Sequence, residues 1–252
     1  MNDIHGGAFP LPAHRLEQQV VPYRDGSTPL TGVLVWDDAL TGPRPGVLVV
    51  HGGAGLDDHA RGRARRLAEF GYVVLACDMY GDGVAGDRQR VMARIAQLTA
   101  DHDHLRQRAQ AGVEVLAAHP LVDGRLAAVG YCFGGMTVLE LARGGSPIAG
   151  VASLHGSLET THPAKPGTIT TTILVIHGAS DPHVPLTHVT RFTDEMNHAG
   201  ADWQLIIYGG AQHGFTHDVQ SSVRVPGVAY HPVADARSQN ALKAFLGEIF
   251  EE

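Results

Sequence analysis

The segment LAAVGYCFGGMTVLELA, residues 126 to 142, passes from strand-forming residues to helix-forming residues through a cysteine flanked by glycines. Gly130 lies two positions before Cys132, and Gly134 lies two positions after it. A tight strand-to-helix turn needs small residues at these positions, because larger side chains would collide with the neighbouring backbone. The pattern therefore predicts a strand, a strained turn that exposes the Cys132 thiol, and a helix that begins directly after it.

On both sides of this turn, apolar strand-like segments alternate with helical segments along the chain. The apolar runs are continuous in Val, Ile and Leu, which is typical of strands buried on both faces of a parallel sheet. Residues 16–23 and 30–37 predict an antiparallel pair at one edge, residues 87–118 a long helical region, and Asp235 the start of a last helix. The sequence thus predicts an α/β fold with a mostly parallel twisted sheet of about eight strands and helices on both faces. We expect one domain over residues 1–252, without a separate lid domain.

Composition narrows the range of partners. The formal net charge of −7 and the pI near 6.1 count against nucleic acid, because binding to phosphates needs a basic surface. The basic residues Arg61, Arg63, Arg65 and Arg66 are predicted to form the solvated face of a helix. No apolar run reaches the roughly 18 residues that a membrane span requires.

The chain has two cysteines, Cys77 and Cys132, far apart and without zinc-type spacing, so neither a disulfide framework nor a metal site is expected. The N-terminal segment lacks a basic region followed by an apolar core, and no secretory signal is predicted. We therefore expect a cytoplasmic protein, in which a free thiol stays reduced.

Two further strand ends carry residues that suit a thiol nucleophile. Asp181 follows the strand that contains ILVI, and His213 follows the strand that contains WQLIIY. The carboxyl ends of parallel strands lie at one edge of the sheet, where active sites form. The chain order Cys132, Asp181, His213 is that of a nucleophile, an orienting acid and a base.

Backbone amides are predicted to complete this site. The N–H of Phe133 follows the nucleophile, and the glycine-rich HGGAG segment after VLVV offers the N–H of Gly53. Two such donors can form an oxyanion hole, which stabilises the negative oxygen of a tetrahedral intermediate.

Each candidate also has a plainer interpretation. Cys77 is interpreted as a small core residue. Asp181 is also placed to cap the turn before Pro182. The Asp101-His102-Asp103-His104 cluster is interpreted as a polar helix face, because side chains two positions apart on a helix diverge and do not share a metal ion.

The layout and the motifs GYCFGG, SDPHVP and AQHGF resemble the α/β-hydrolase superfamily and, within it, the dienelactone hydrolase family. The likeness extends over nearly all of the chain from about residue 16. It implies an α/β-hydrolase fold, carboxylic ester hydrolysis without a cofactor, and the roles of nucleophile for Cys132, acid for Asp181 and base for His213.

The sequence departs from that family in two places. Well-known dienelactone hydrolases carry a glutamate in the loop after the third strand, where this chain has Gly52. They also bind a substrate carboxylate with arginines, at places where this chain has Asp82 and His217; Arg88 and Arg90 are more distant alternatives. These departures count against a chlorocatechol-type dienelactone as the substrate.

The expected function is hydrolysis of a small ester, lactone or thioester through an acyl-thioenzyme. The long segment from residue 214 to 233 is predicted to be a functional loop. Residues expected to contact substrate are Tyr80, His155, Phe215 and Tyr230. The alternative is a catalytically silent binding protein that keeps the fold, in which both thiols would react equally slowly with iodoacetamide. A thiol-based redox enzyme is a weaker alternative, because no second cysteine lies nearby in sequence.

Overall fold

The computed structural model describes residues 14–81, 83–218 and 225–251. None of the helices within these ranges combines the length and the apolar composition needed to cross a membrane. The strands are β1 (Leu16–Asp25), β2 (Thr28–Asp37), β3 (Arg44–Val50), β4 (Val73–Cys77), β5 (Val122–Tyr131), β6 (Gly150–Leu154), β7 (Thr172–Gly178) and β8 (Trp203–Tyr208). The helices are α1 (Asp58–Glu69), α2 (Arg88–Ala100), α3 (His102–Ala117), α4 (Phe133–Arg143), α5 (Leu186–Ala199) and α6 (Pro232–Glu251).

The strands form one eight-stranded sheet in the order β1-β2-β4-β3-β5-β6-β7-β8. β1 and β2 pair antiparallel, as do β2 and β4, while the other neighbours pair parallel. The hairpin turns at Gly26, whose φ of 54° suits glycine. The expected antiparallel pair at one edge and the mostly parallel sheet are both confirmed.

The hydrophobic core lies on both faces of the sheet, as β3 illustrates. Leu48 and Val50 belong to a cluster that includes residues of α3, α4 and α5, whereas Val47 and Val49 belong to a cluster that includes residues of α1 and α6. All four side chains are fully buried. Successive side chains of a strand point to opposite faces, so a strand covered on both sides is apolar throughout.

The long helical region predicted over residues 87–118 is confirmed, but it consists of two helices, α2 and α3, because the chain breaks at Asp101. There the backbone is extended, with φ −133° and ψ 93°, and the Asp101 carboxylate accepts the backbone N–H of His104 at 3.0 Å. An aspartate that binds the backbone in this way favours a helix start over a helix interior. The last helix also begins earlier than predicted, at Pro232, since the first helical turn tolerates a residue without an N–H.

Candidate active site

Cys132 joins β5 to α4 in a backbone conformation that few residues other than glycine adopt, with φ 53° and ψ −112°. A Cβ on Gly130 would lie 2.0 Å from the carbonyl oxygen of Gly134, and a Cβ on Gly134 would lie 2.1 Å from that of Val50. Both positions therefore require glycine, as the motif predicts. The turn holds the thiol at the N-terminus of α4, where the helix dipole favours negative charge.

His213 lies between the thiol and a buried carboxylate. Its Nε2 is 3.0 Å from Sγ of Cys132, and its Nδ1 is 2.8 Å from Oδ2 of Asp181. The other oxygen of Asp181 accepts the backbone N–H groups of His183 and Val184, at 2.8 and 3.1 Å. Asp181 thus caps its turn and contacts the imidazole at the same time, so both interpretations of this residue apply.

These contacts change the ionisation of all three groups. Burial opposes ionisation of Cys132, but the hydrogen bond and charge of His213 and the N–H groups of Gly53 and Phe133 lower the thiol pKa below its ordinary value. Burial also opposes protonation of His213, yet the hydrogen bonds to Asp181 and Cys132 raise its pKa to about 10. For Asp181, burial is outweighed by the hydrogen bond from His213, which lowers the carboxyl pKa. The arrangement therefore favours a thiolate beside an imidazolium.

Two backbone N–H groups converge on the sulfur, from Gly53 after β3 and from Phe133 at the start of α4. The Tyr80 hydroxyl supports the first of these, because it donates to the carbonyl oxygen of Gly53 at 3.1 Å. The Tyr80 ring also lies 5.6 Å from that of Phe133. Tyr80 is only 1% exposed and supports the loop, and its contact with substrate stays a prediction.

Of the other residues expected to contact substrate, two are buried and one is exposed. His155 and Phe215 are both fully buried, so the expected role of pocket wall does not fit either of them. The His155 ring lies 5.5 Å from that of His213, and Phe215 packs between the rings of His155 and Tyr208. Tyr230 is 44% exposed just before α6, and its contact with substrate stays a prediction. Part of the predicted functional loop, residues 219–224, lies outside the described residues.

A buried polar cluster lies beside His213 and was not predicted from the sequence. Arg63 was expected on a solvated face, but its guanidinium makes two contacts with the carboxylate of Asp235, at 2.8 and 3.0 Å, and also donates to the carbonyl oxygen of Thr216. His59, one helical turn before Arg63, contacts the Thr216 hydroxyl at 3.1 Å. The spacing of His59 and Arg63 on one face of α1 was the available signal.

The model of the dienelactone hydrolase family matches residues 30–250. The chain belongs to the dienelactone hydrolase family. It is a carboxylic ester hydrolase with an α/β-hydrolase fold.

Proteins similar to this chain come from several sources. A solved dienelactone hydrolase-like promiscuous phosphotriesterase from metagenomic libraries is 41% identical with a TM-score of 0.88, over 93% of this chain and 99% of that one. A probable 2-oxo-3-(5-oxofuran-2-ylidene)propanoate lactonase of a Bradyrhizobium species is 28% identical over 82% of this chain and 85% of its own length. An uncharacterized Caenorhabditis elegans protein is 34% identical over 61% of this chain and 99% of its own length.

The sequence departs from the family pattern at Gly52, in place of a glutamate, and at Asp82 and His217, in place of arginines. A Cβ on Gly52 would lie 3.7 Å from Cβ of Cys132 and 3.6 Å from Nε2 of His217. His217 is partly exposed, so it borders the site beside the sulfur. Asp82 lies outside the described residues, and Arg88 is the first residue of α2.

The histidines near Asp101 pair with charged groups. His102 lies 3.0 Å from the buried carboxylate of Glu140, and His104 lies 3.4 Å from that of Asp25. The interpretation of a polar helix face holds for the exposed Asp101 and Asp103, whereas His102 and His104 are partly buried against these carboxylates. Within the described ranges, no group of three or more His, Cys, Asp or Glu side chains is placed to hold a metal ion.

Proposed function

We propose that this family member hydrolyses a small ester, lactone or thioester with Cys132 as nucleophile, His213 as base and Asp181 as orienting acid. The observation that carries the proposal is the unbroken contact from Sγ to Nε2 at 3.0 Å and from Nδ1 to Oδ2 at 2.8 Å. In a nucleophile–base–acid triad, each group activates or orients the next, and these distances are within hydrogen-bonding range.

In the first half of the reaction, the thiolate of Cys132 attacks the substrate carbonyl carbon. The carbonyl oxygen becomes negative and accepts hydrogen bonds from the N–H groups of Gly53 and Phe133. When the C–O bond breaks, the imidazolium of His213 donates its Nε2 proton to the departing alkoxide. The products of this half are an alcohol and a thioester on Cys132.

In the second half, water replaces the alcohol. Two of the causes that raise the pKa of His213 are its hydrogen bond and charge interaction with Cys132, and the thioester removes the thiolate. The His213 pKa therefore falls, while Asp181 keeps the ring oriented. His213 then takes a proton from water, the resulting hydroxide attacks the thioester carbonyl, and the thiolate leaves with release of the acid.

The charges around the thiol support an uncharged substrate. Asp57 interacts electrostatically with Tyr80 and His217, both of which lie at loops beside the thiol. Arg63 is the cation of the neighbouring cluster, and its guanidinium is held by Asp235. The thiolate and the imidazolium of His213 together carry no net charge, so a substrate carboxylate near Tyr80 and His217 would meet the like charge of Asp57, which disfavours binding.

A pair of p-nitrophenyl esters tests this preference. The acetyl ester is neutral, whereas an ester of a dicarboxylic acid carries a carboxylate of its own. We expect kcat/KM to be about tenfold higher for the neutral ester. An equal or higher value for the anionic ester would contradict the substrate class, whatever the nucleophile.

Substitution of the two cysteines tests the mechanism. Cys132→Ala should abolish turnover of p-nitrophenyl acetate, because no other group replaces the sulfur. Cys77→Ala is the matched control, since Cys77 is fully buried and burial raises its thiol pKa. Mass spectrometry of the quenched wild-type reaction should find the acetyl group on the peptide that contains Cys132. Full activity of Cys132→Ala would refute the proposal.

A second activity, hydrolysis of phosphotriesters, is favoured by one specific observation. The relative with 41% identity over nearly its whole length is described as a promiscuous phosphotriesterase. Here the thiolate would form an S–P bond as the P–O bond to an aryloxide breaks, and the Gly53 and Phe133 amides would bind the phosphoryl oxygen. Water would then cleave the S–P bond and restore the thiolate.

Diethyl p-nitrophenyl phosphate tests this second activity. Catalytic release of p-nitrophenolate by the wild type, and its loss in Cys132→Ala, would support the assignment. A single stoichiometric release followed by inactivation would mean that the phosphorylated thiol forms but is not hydrolysed. That result would refute phosphotriester turnover and leave the ester hydrolase proposal intact.

A further inference from the structure

A chain of polar side chains lies directly behind His213, and the reaction scheme does not use it. The Thr216 hydroxyl, three residues after His213, lies 2.8 Å from Nε2 of His155 and 3.1 Å from Nε2 of His59. The same Nε2 of His59 accepts Nε–H of Arg63 at 3.2 Å. All of these groups are buried or nearly so, and they come from α1, the end of β6 and the loop after His213.

The guanidinium sets the direction of every hydrogen bond in this chain. A guanidinium only donates, so Nε2 of His59 is an acceptor and the ring carries its proton on Nδ1. Burial and the neighbouring His217 and Arg63 lower the pKa of His59 to about 2, which keeps the ring neutral. The Thr216 hydroxyl must then donate to His59, because the opposite arrangement would place two lone pairs 3.1 Å apart. Nε2 of His59 has one lone pair, so the protons of Thr216 and Arg63 share it in a bifurcated hydrogen bond, at 3.1 and 3.2 Å. Its single proton is then used, so His155 donates to Thr216 from Nε2.

The local backbone and the unpaired atoms indicate that this arrangement is costly. His155 has a φ of 42°, a region that histidine rarely adopts. Nδ1 of His59 and Nδ1 of His155 are buried without a hydrogen-bond partner among the described residues. Strain and unsatisfied polar groups concentrate at functional sites, where geometry matters more than stability.

We propose that His155, Thr216 and His59 form a one-way hydrogen-bond chain, anchored on Arg63, that positions His213 against the Cys132 thiol. The His155 ring packs at 5.5 Å against the ring of His213 in an edge-on orientation. The hydrogen-bond chain is also fixed from outside the loop that follows His213, because Arg63 binds Asp235 of α6. His155 and Thr216 are therefore positioning residues, and they act on the reaction only through His213. This inference rests on the proposed role of His213 as base.

Removal of the Thr216 hydroxyl tests the role in catalysis. Thr216→Val keeps the shape of the side chain but removes both hydrogen bonds. We expect kcat for p-nitrophenyl acetate to fall between about tenfold and a hundredfold, with KM within about threefold of wild type, because a small displacement of a catalytic base slows the chemical step. Thr216→Ser keeps the hydroxyl and should restore kcat to within about threefold of wild type.

A second buried threonine provides the matched control. Thr171 is 1% exposed and donates to the carbonyl oxygen of Ser146 at 3.1 Å, at the amino end of β7 and thus at the opposite edge of the sheet. Thr171→Val should keep the wild-type kcat although it loses a buried hydrogen bond. A wild-type kcat in Thr216→Val, or a Thr216→Ser variant as slow as Thr216→Val, would overturn the proposal.

The direction of the hydrogen bonds in this chain can be measured without an activity assay. ¹⁵N NMR of the resting wild-type enzyme should find the proton of His59 on Nδ1 and that of His155 on Nε2, with signals assigned by their loss in His59→Gln and His155→Gln. A proton on Nε2 of His59 would overturn the proposal even if Thr216→Val does not fold. These tautomers do not depend on the identity of the nucleophile, so a fully active Cys132→Ala would end the proposed function alone.

Discussion

Replacement of His213 by glutamine should leave the Cys132 thiol largely protonated at neutral pH. The thiolate and the imidazolium are 3.0 Å apart, and at an effective dielectric constant of about 20 their attraction is about 5.5 kcal/mol. An ordinary thiol with a pKa of about 8.5 needs only about 2 kcal/mol to be ionised at pH 7. The attraction to His213 therefore exceeds the free energy needed to ionise an ordinary thiol. The difference offsets the cost of burial, which opposes ionisation of Cys132.

In His213→Gln this attraction is lost and burial remains. The thiol pKa then rises, so the thiolate forms at higher pH than in the wild type. At pH 7 we expect the ionised fraction of Cys132 to fall below its wild-type value, to about 3% or less, the value for an ordinary thiol. The ultraviolet absorbance of the thiolate, measured against pH and corrected with Cys132→Ala, reports that fraction directly.

His183→Gln is the matched control for this experiment. Its ring lies 5.3 Å from the ring of His213, so the variant removes a neighbouring histidine and leaves the contact with sulfur. The pH midpoint of its thiolate absorbance should match that of the wild type. An unchanged midpoint in His213→Gln would refute the reasoning, because the charge of His213 would then not determine the state of the thiol.

Three further predictions follow from the same structure. Asp181→Asn removes the charge that orients His213, and p-nitrophenyl acetate assays should show a fall in kcat of at least about a hundredfold; wild-type kcat would contradict that role. Gly134→Ala would place a Cβ 2.1 Å from the carbonyl oxygen of Val50, so thermal unfolding should detect a destabilised or unfolded protein; an unchanged Tm would contradict the steric argument. Gly62→Ala, on an exposed face of α1 with no heavy atom within 4 Å of the new Cβ, should raise the free energy of unfolding by about 0.5–1 kcal/mol, and urea denaturation that shows a loss would contradict it.

The sequence was most informative where the physical cause is local. The glycines at 130 and 134 exclude side chains because backbone atoms come within about 2 Å of any Cβ placed there. The short motif GYCFGG is therefore enough to predict that positions 130 and 134 require glycine. The order of the strand ends was equally readable, because parallel strands bring their carboxyl ends to one edge.

Local sequence patterns were less informative where the same composition is compatible with two different local structures. The segment around Asp101 has helical composition on both sides, and its aspartate starts a second helix instead of continuing the first. His155 and Phe215 follow strands as pocket residues do, yet both are fully buried. The sequence position of an aromatic or imidazole residue at a strand end is the same whether its ring lines a pocket or packs in the core.

The sequence by itself determined the α/β class, the strained turn at Cys132 and the edge of the sheet where Asp181 and His213 meet it, because periodicity and steric exclusion act over a few residues. Only the tertiary structure decided that Arg63 binds Asp235 and Thr216, which are 172 and 153 positions away. Those contacts require α1 and α6 to pack on the same face of the sheet. That arrangement follows from the order of the strands and the packing of helices on them, which no local pattern encodes.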